Sequence, residues 1–314
     1  MDIFFTAAPL AFRPFCVIML YDRTLLFHLE RVTRVIHILT DSTADLSPQQ
    51  AADWGVEVLP LSVHFGEETF LDGVELSPAA FFERLAQVET LPTTSQIPPD
   101  VFVKVFEERL AAGDQVLGLF ISSQMSGTCQ SAMIAKGMVD SPDIRIIDSR
   151  AVTMALGLLV RVACQLRDEG LSLEELSRRV EELTHRVRLL AAVDTLKYLK
   201  MGGRISAATA VVGGILGITP IIAVQNGIVE SVGKARGRAA AFSWIREELA
   251  RRPADLSLPV LFGHTNAPKT LEEIMDFFAS WHADAPAVHT TDIGSVVGTH
   301  VGPGAAGFAY FEAT

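Results

Sequence analysis

Short apolar runs and longer segments with helical spacing alternate along most of this 314-residue chain. Between residues 35 and 150 stretches with apolar residues three and four positions apart separate four apolar runs, at 35–39, 56–63, 116–121 and 144–147. Runs of this length are typical of buried strands, and the spacing between them is typical of amphipathic helices. Strands that alternate with helices predict a parallel sheet with helices on both faces.

The second half of the chain has a different order of elements. Two predicted helices, 153–168 and 172–187, come first, and they are followed by strands at 189–193, 229–235, 259–262, 288–293 and 307–311. We therefore predict an α/β protein with two unlike domains. Residues 34–152 form a parallel sheet sandwiched by helices, and residues 153–314 form a mixed sheet with helices.

Two apolar stretches do not fit this pattern. A proline and an arginine interrupt residues 3–26, and no small-residue cleavage site follows, so neither a signal peptide nor a membrane span is predicted. We interpret residues 1–33 as a poorly specified extension outside the folded unit, with a membrane-associating helix as the alternative. The apolar segment 211–224 predicts a helix, a turn and a strand that line the interior, because it is broken by Gly213, Gly214, Gly217 and Pro220.

Charge and composition narrow the range of functions. The formal net charge is −11, and lysine and arginine are spread through the chain, which argues against nucleic acid or an anionic membrane as the main partner. The three cysteines show no C-x-x-C spacing and the eight histidines no H-x-x-x-H spacing, so neither a disulfide framework nor a metal site is predicted. We expect a cytoplasmic protein without a cofactor.

Hydroxyl-rich segments follow several of the predicted strands. The stretch 91–98, LPTTSQIP, places three hydroxyls and an amide between two prolines, which predicts a stiff, extended loop. A simple polar connector is the alternative for this stretch. The segment 122–128, SSQMSGT, joins a strand to a helix, so its main-chain N–H groups can meet an anionic headgroup, although no G-x-x-x-x-G-K-[ST] pattern is present.

These side chains suit binding better than cleavage. All are predicted to lie on loops: the hydroxyls of Ser42, Ser62, Thr94, Ser95, Ser122, Ser126 and Thr128, together with Arg236 and His300. Asp41 and Asp148 end strands in a D-S context that favours fixing the loops over acid–base catalysis. A serine nucleophile with His300 as base lacks a G-x-S-x-G elbow. Hydroxyls with a cationic arginine can hold a carboxylate or phosphate, so no catalytic residue is predicted.

Eight sequence blocks occur in one order and resemble the DegV family, the fatty-acid-binding subunits of bacterial fatty acid kinase. They are ILTDSTADL at 38–46, LPL before Ser62, PTTSQ at 92–96, ISSQMSGTCQSA at 121–132, IIDS at 146–149, YLKMGGRIS at 198–206, KARGRA at 234–239 and GTHVGPGA at 298–305. The resemblance covers residues from about 35 to the C-terminus.

The resemblance implies that a long-chain fatty acid is buried between or beneath the two domains. It implies that Ser95 and Ser62 hold the carboxyl, with Thr94 and the loop of Ser126, Gly127 and Thr128 beside them. A separate ATP-dependent kinase would phosphorylate that carboxyl to an acyl phosphate for phospholipid synthesis. Arg236 and His300 match positions used near the carboxyl or in engaging the kinase. Ser62 stands where the family frequently has threonine, and Cys129 where it usually has an aromatic residue.

The energetics favour a lipid over a small acid. Burying about fifteen methylenes contributes on the order of 12 kcal/mol gross, whereas each hydrogen bond contributes about 1 kcal/mol net. Candidate wall residues, although residues of this kind are more often ordinary core, are Phe102, Phe106, Met125, Ile215, Leu216, Ile218 and Ile221. The alternative function is an enzyme or binding domain for a small keto or phosphorylated substrate, related to dihydroxyacetone kinase. Transient membrane contact is left open.

Overall fold

The computed structural model describes residues 34–207, 217–280, 282 and 288–314. Val35–Thr314 form one compact unit. The predicted extension 1–33 and the candidate wall residues Ile215 and Leu216 lie outside the described residues. Within the described part of the chain, no helix has the length and hydrophobicity needed to cross a membrane.

The first sheet is parallel, as predicted. Its strand order is β2 (Val56–Leu59), β1 (Ile36–Asp41), β6 (Gln115–Phe120) and β7 (Ile144–Asp148). The accompanying helices are α1 (Pro48–Trp54), α2 (Pro78–Leu85), α3 (Pro99–Ala111) and α4 (Thr128–Val139). Ser47 and Ser77 cap α1 and α2 by accepting main-chain N–H groups, and a proline opens each helix, as the sequence predicts.

A small antiparallel sheet corrects two predictions. The single strand predicted at 56–63 is two strands, because Pro60 lacks an N–H and the chain leaves the parallel sheet there. The second strand, β3 (Ser62–Phe65), pairs with β4 (Glu68–Leu71) on one side and β5 (Thr93–Ser95) on the other. The stretch predicted as a loop at 91–98 therefore contains a short strand.

The second sheet is mixed, as predicted. It has six strands in the order β10 (Ile228–Arg236), β9 (Ile218–Gln225), β8 (Val187–Ala192), β13 (Ala306–Phe311), β11 (Val260–His264) and β12 (Val288–Asp292). Only the β11–β12 pair is parallel. The helices of this half are α5 (Met154–Asp168), α6 (Leu173–Thr184), α7 (Lys197–Met201), α8 (Arg238–Arg251), α9 (Pro268–Ala279) and α10 (Ser295–Val301).

Helix α5 lies between the two sheets. Its apolar residues are almost all buried, and it contacts β1 and β6 of the first sheet as well as β8, β11 and β13 of the second. One apolar cluster therefore contains residues of both sheets. Since the largest gain on folding comes from burying this shared surface, the two halves are expected to be stable only together. The domain boundary at residue 152 stays a prediction.

Three of the candidate wall residues belong to the ordinary core. Phe102 and Phe106 are fully buried, and Phe102 packs edge-on against Phe120 of β6 with ring centroids 5.0 Å apart. Ile221 is buried against α8 in a separate cluster of the second sheet. Large side chains in these positions fill space between helix and sheet, which is the usual use of such residues.

Candidate functional site

A cavity of about 320 Å³ lies where the hydroxyl-rich segments meet the second half of the chain. Its walls are mainly apolar, and its polar side chains come from different elements. It is lined by Leu61, Thr94, Ser95, Gln96, Ile121, Met125, Ser126, Gly127, Val152, Leu199, Arg204, Val229, Val296, Val297, His300 and Val301. Concave, apolar sites with a few convergent polar groups are typical of small-molecule binding.

The first polar contact in this cavity joins residues 206 positions apart. Thr94 Oγ1 and His300 Nε2 are 3.0 Å apart. His300 was predicted on a loop, but it lies in the last turn of α10. It packs closely on Gly202, because a Cβ added there would lie 2.2 Å from His300 Nδ1. A side chain at position 202 would therefore displace the imidazole.

His300 is neutral over the physiological pH range. Burial, and then the positive charge of Arg204, lower the pKa of His300 from 6.5 to about 4. Its Nδ1 is buried and has no hydrogen-bond partner among the described residues. The imidazole can therefore take part in a hydrogen bond through Nε2, but it carries no charge to balance that of an anion.

Arg204 supplies the positive charge of the cavity and was not among the predicted site residues. Its Nε donates to the Met125 carbonyl at 3.2 Å and its Nη1 to the Gly202 carbonyl at 2.7 Å, which fixes the guanidinium beside His300. Among the residues that the structure describes, no carboxylate lies within 4.0 Å of it. A half-buried arginine without a carboxylate is suited to binding a ligand anion.

Ser62 and Ser95, which were predicted to bind the same carboxyl, are direct neighbours in the small sheet. They are opposite each other in the β3–β5 pair, so both side chains lie on the same face of the small sheet. Ser95 lines the cavity, whereas Ser62 does not. The Ser95 hydroxyl is 2.9 Å from His64 Nε2, and the other ring nitrogen meets the Thr69 hydroxyl. Among the described residues no carboxylate lies within 4.0 Å of His64, so this serine–histidine pair has no group there of the kind that stabilises an imidazolium during nucleophilic catalysis.

The loop before α4 contributes two of its three predicted residues to the cavity. Ser126 and Gly127 line it, while Thr128 is buried and hydrogen-bonds to the Ser126 hydroxyl at 3.0 Å. A Cβ at Gly127 would lie 1.9 Å from Gln96 Oε1. Gln96 therefore packs directly on this glycine, and its amide also donates to Ser131 at 2.8 Å.

Arg236 differs most from the other predicted site residues, because it lies outside this cavity. It is the last residue of β10, it is exposed, and it does not line the cavity. Of the candidate wall residues, Met125 does line it, whereas Phe102, Phe106, Ile218 and Ile221 do not. The GGR triplet that holds Arg204 and Gly202 was visible in the sequence, but only the fold shows that it meets His300.

The two strand-end aspartates have the structural role expected of them. Asp41 accepts hydrogen bonds from the Thr43 and Ile121 N–H groups, and Asp148 accepts from the Ser123 N–H and hydroxyl. Both carboxylates therefore fix the loops that precede or form the cavity wall. Within the described residues, no three His, Cys, Asp or Glu side chains are grouped to hold a metal ion.

Comparison with known proteins identifies relatives over nearly the whole described chain. The family model for uncharacterised proteins of the DegV family matches residues 35–313. A DegV domain-containing protein of Caldanaerobacter subterraneus is 35% identical over 278 residues, which cover 88% of this chain and 98% of that protein.

Two solved structures share both the fold and substantial sequence. One is described as fatty acid binding of a DegV family protein from Thermus thermophilus; it has a TM-score of 0.81 and 30% identity, and covers 89% of this chain and 100% of its own. The other is DegV from Bacillus subtilis, described as a fatty acid binding protein, with a TM-score of 0.77, 33% identity and the same coverage.

Proposed function

This chain belongs to the DegV family, and from that premise we propose that it binds a long-chain fatty acid in the cavity beside His300 and Arg204. We propose further that it presents the carboxyl group to a separate ATP-dependent kinase, which forms an acyl phosphate for phospholipid synthesis. In this function the chain is a lipid-binding, substrate-presenting subunit and performs no catalysis itself.

The observation that carries the proposal is an apolar cavity with a single arginine that meets no carboxylate among the described residues. An acyl chain gains about 0.8 kcal/mol for each buried methylene, so the apolar walls provide the affinity. A carboxylate needs a cation and hydrogen-bond donors in the same place, and these lie together beside α10. No polar small molecule would use both parts of this cavity.

In this proposal the charged and the neutral polar residues of the cavity have different roles. Arg204 balances the charge of the fatty acid carboxylate, because neutral His300 cannot. His300 and Thr94 orient the carboxyl through hydrogen bonds. Ser95 is more exposed than Thr94 and lines the cavity from the solvent side, where a kinase would have to reach the carboxyl oxygen.

Arg236 suits contact with the kinase better than contact with the carboxyl. It is exposed and does not line the cavity, whereas Arg204 does. We therefore assign Arg204 to the ligand and Arg236 to the partner. Arg236→Ala should reduce acyl phosphate formation more than it reduces lipid binding, and equal losses in both would contradict this division.

The experiment that tests fatty acid binding is extraction of the purified protein with organic solvent, followed by mass spectrometry of the extract. We expect an acyl chain in roughly stoichiometric amount, and saturable binding when delipidated protein receives a fatty acid. If repeated extractions yield no acyl chain and the delipidated protein binds no fatty acid, the proposal is wrong. Saturable binding of a small keto or phosphorylated compound instead would favour the alternative enzyme.

Kinase dependence needs a separate measurement. Purified protein loaded with fatty acid, ATP and a bacterial fatty acid kinase should yield acyl phosphate, trapped as the hydroxamate. Loaded protein without the kinase should yield none, because it contributes no phosphoryl-transfer residues. Product formed without the kinase would show that the chain is itself an enzyme.

A further inference from the structure

A second cavity, of about 260 Å³, opens where two neighbouring strands separate. The pairing of β8 with β9 ends at Leu190 opposite Ala223, although the strands continue to Val187 and Gln225. The chain then turns at Asn226 and enters β10. The space between the separated strands is lined mainly by polar groups, in contrast to the apolar cavity beside His300.

Arginines from three different elements line this second cavity. Arg150 follows β7, Arg188 belongs to β8, and Arg252 follows α8. Arg188 pairs with Glu312 at 2.6 Å, and Arg252 lies 3.5 Å from Glu248. These two arginines are therefore largely neutralised by the protein itself.

Arg150 provides the excess positive charge. Its Nη1 is 3.4 Å from His185 Nδ1, and within the described part of the chain no carboxylate lies within 4.0 Å of its guanidinium. The whole chain carries a net charge of −11, but at this cavity three arginines meet two glutamates, Glu248 and Glu312, which leaves one positive charge. An anion placed here would gain from this local field.

The backbone around the cavity is strained in a way that holds Arg150 in place. Arg150 has φ 53°, a left-handed conformation that a large side chain rarely adopts, whereas φ 51° at Asn226 is ordinary for the Asn226–Gly227 turn between β9 and β10. The Arg150 N–H donates to Asp148 Oδ1 at 3.1 Å, and Ser123 donates to the same carboxylate. Such outliers persist where surrounding contacts enforce them, and they cluster at ligand sites.

We propose that this cavity binds a phosphate group, either as inorganic phosphate or at the end of a small phosphomonoester. Guanidinium groups bind phosphate oxygens through charge-assisted hydrogen bonds, and Arg150 keeps this capacity because no carboxylate lies within 4.0 Å of it among the described residues. The site is independent of the fatty acid cavity. The two cavities have no lining residue in common but lie near each other along the chain, since Val152 of the first is two residues beyond Arg150 of the second.

Isothermal titration of the full chain with inorganic phosphate tests the proposal, with chloride at matched ionic strength as reference. We expect one saturable site with a Kd of about 1 mM or tighter. Arg150→Gln should weaken binding at least about tenfold, because it removes the cation that lacks a carboxylate. Arg179→Gln is the matched control, since Arg179 is exposed on α6 and lines neither cavity, and it should bind as the wild type does.

Titration with methyl phosphate distinguishes the two sources of the group. Tighter binding of methyl phosphate than of inorganic phosphate indicates a phosphomonoester, and the reverse order indicates the free ion. The absence of saturable binding by either probe would overturn the proposal. Equal weakening by Arg150→Gln and Arg179→Gln would also overturn it, because only the overall charge would then matter.

Discussion

The two ends of α10 use polar groups in opposite ways. At its start, Asp45 Oδ1 accepts the Gly294 N–H at 2.8 Å, and Asp72 Oδ1 accepts the N–H and hydroxyl of Ser295 at 2.9 and 2.5 Å. At its end, His300 lines an apolar cavity together with Arg204, whose charge no carboxylate balances among the described residues. At the start, buried carboxyls accept hydrogen bonds from the helix itself, and at the end an arginine and a histidine line a cavity that suits a ligand.

The charged state of the two carboxyls at the start of α10 is destabilised, because both are buried. Asp45 and Asp72 are buried, and burial raises the pKa of both carboxyls above 3.8, with their mutual repulsion adding to the rise at Asp45. A Cβ at Gly294 would lie 3.0 Å from an oxygen of each, so the pair encloses this glycine. The comparison teaches that burial alone does not mark a ligand site here. The two ends differ instead in the sign of their charge, since the start of α10 meets carboxyls and its end lies beside the guanidinium of Arg204, which suits a ligand anion.

The largest effect is expected at the start of α10, where the buried carboxyls have a structural role. Asp72→Ala should lower the free energy of unfolding by about 3 kcal/mol, because the N–H and hydroxyl of Ser295 lose their buried acceptor. Denaturant unfolding followed by circular dichroism measures this loss. Asp100→Ala, at an exposed position, should change stability by less than about 1 kcal/mol. Similar losses in both variants would contradict the assigned role.

Asp72→Asn tests the role of Asp72 through the pH dependence of protein stability. The raised pKa means that folded Asp72 binds its proton more tightly than unfolded Asp72, so its favourable contribution is present below about pH 4 and is lost as pH rises through the raised value. The amide keeps an acceptor and cannot ionise. The stability of Asp72→Asn relative to wild type should therefore increase from pH 4 to pH 7, and a constant or falling difference would refute the shift.

At the ligand end, Arg204→Gln should have the largest effect on binding. Loss of a charge-assisted contact costs about 2 kcal/mol, which corresponds to a roughly 30-fold weaker Kd for fatty acid. A fluorescent fatty acid displacement assay measures this change, and Arg179→Gln should leave Kd unaltered. If Arg204→Gln binds normally, the carboxylate is held elsewhere.

His300→Ala should weaken binding about fivefold, as expected for loss of one neutral hydrogen bond worth about 1 kcal/mol. Because the pKa of His300 is lowered to about 4, the imidazole is neutral from pH 5 to pH 8. The wild-type Kd should therefore show no histidine titration in that range. A transition near pH 6.5 that disappears in His300→Ala would show that the histidine is charged when it binds.

The smallest effect is expected at the exposed edge of the cavity. Ser95→Ala should leave folding intact, because its hydroxyl bonds only to the His64 ring among the described residues, and should weaken fatty acid binding about threefold. Thr93→Ala is the matched control on the same strand, since Thr93 is exposed and does not line the cavity. A loss of stability in Ser95→Ala alone would make the serine structural.

Much of the fold could be predicted because local signals agree with it. The prolines and serines at the starts of α1 and α2 act within one helical turn, and the apolar runs of β1 and β6 are buried on both faces. The short strand β5 was missed, since its partner lies about 30 residues earlier and Thr93–Ser95 shows no apolar alternation.

The candidate site was predicted only in part, for a related reason. Thr94, Ser95, Ser126, Gly127 and His300 line the cavity, whereas Ser62, Thr128 and Arg236 do not. Arg204 was not predicted as a site residue, because an arginine after two glycines is a common sequence feature. Its position in the cavity depends on contacts with the Gly202 carbonyl, the Met125 carbonyl and His300, which lie far apart along the chain.

The sequence by itself determined most strands of the parallel and mixed sheets and the hydroxyl-rich segments, because propensity, capping and apolar spacing act over a few residues. The tertiary structure alone decided which polar groups bind other parts of the protein and which line a cavity where a ligand can bind. Asp72 and Arg204 both sit in polar stretches, but one meets the start of α10 and the other faces an apolar cavity. That difference is made by contacts between distant segments, where burial and charge balance are fixed only when the chain closes on itself.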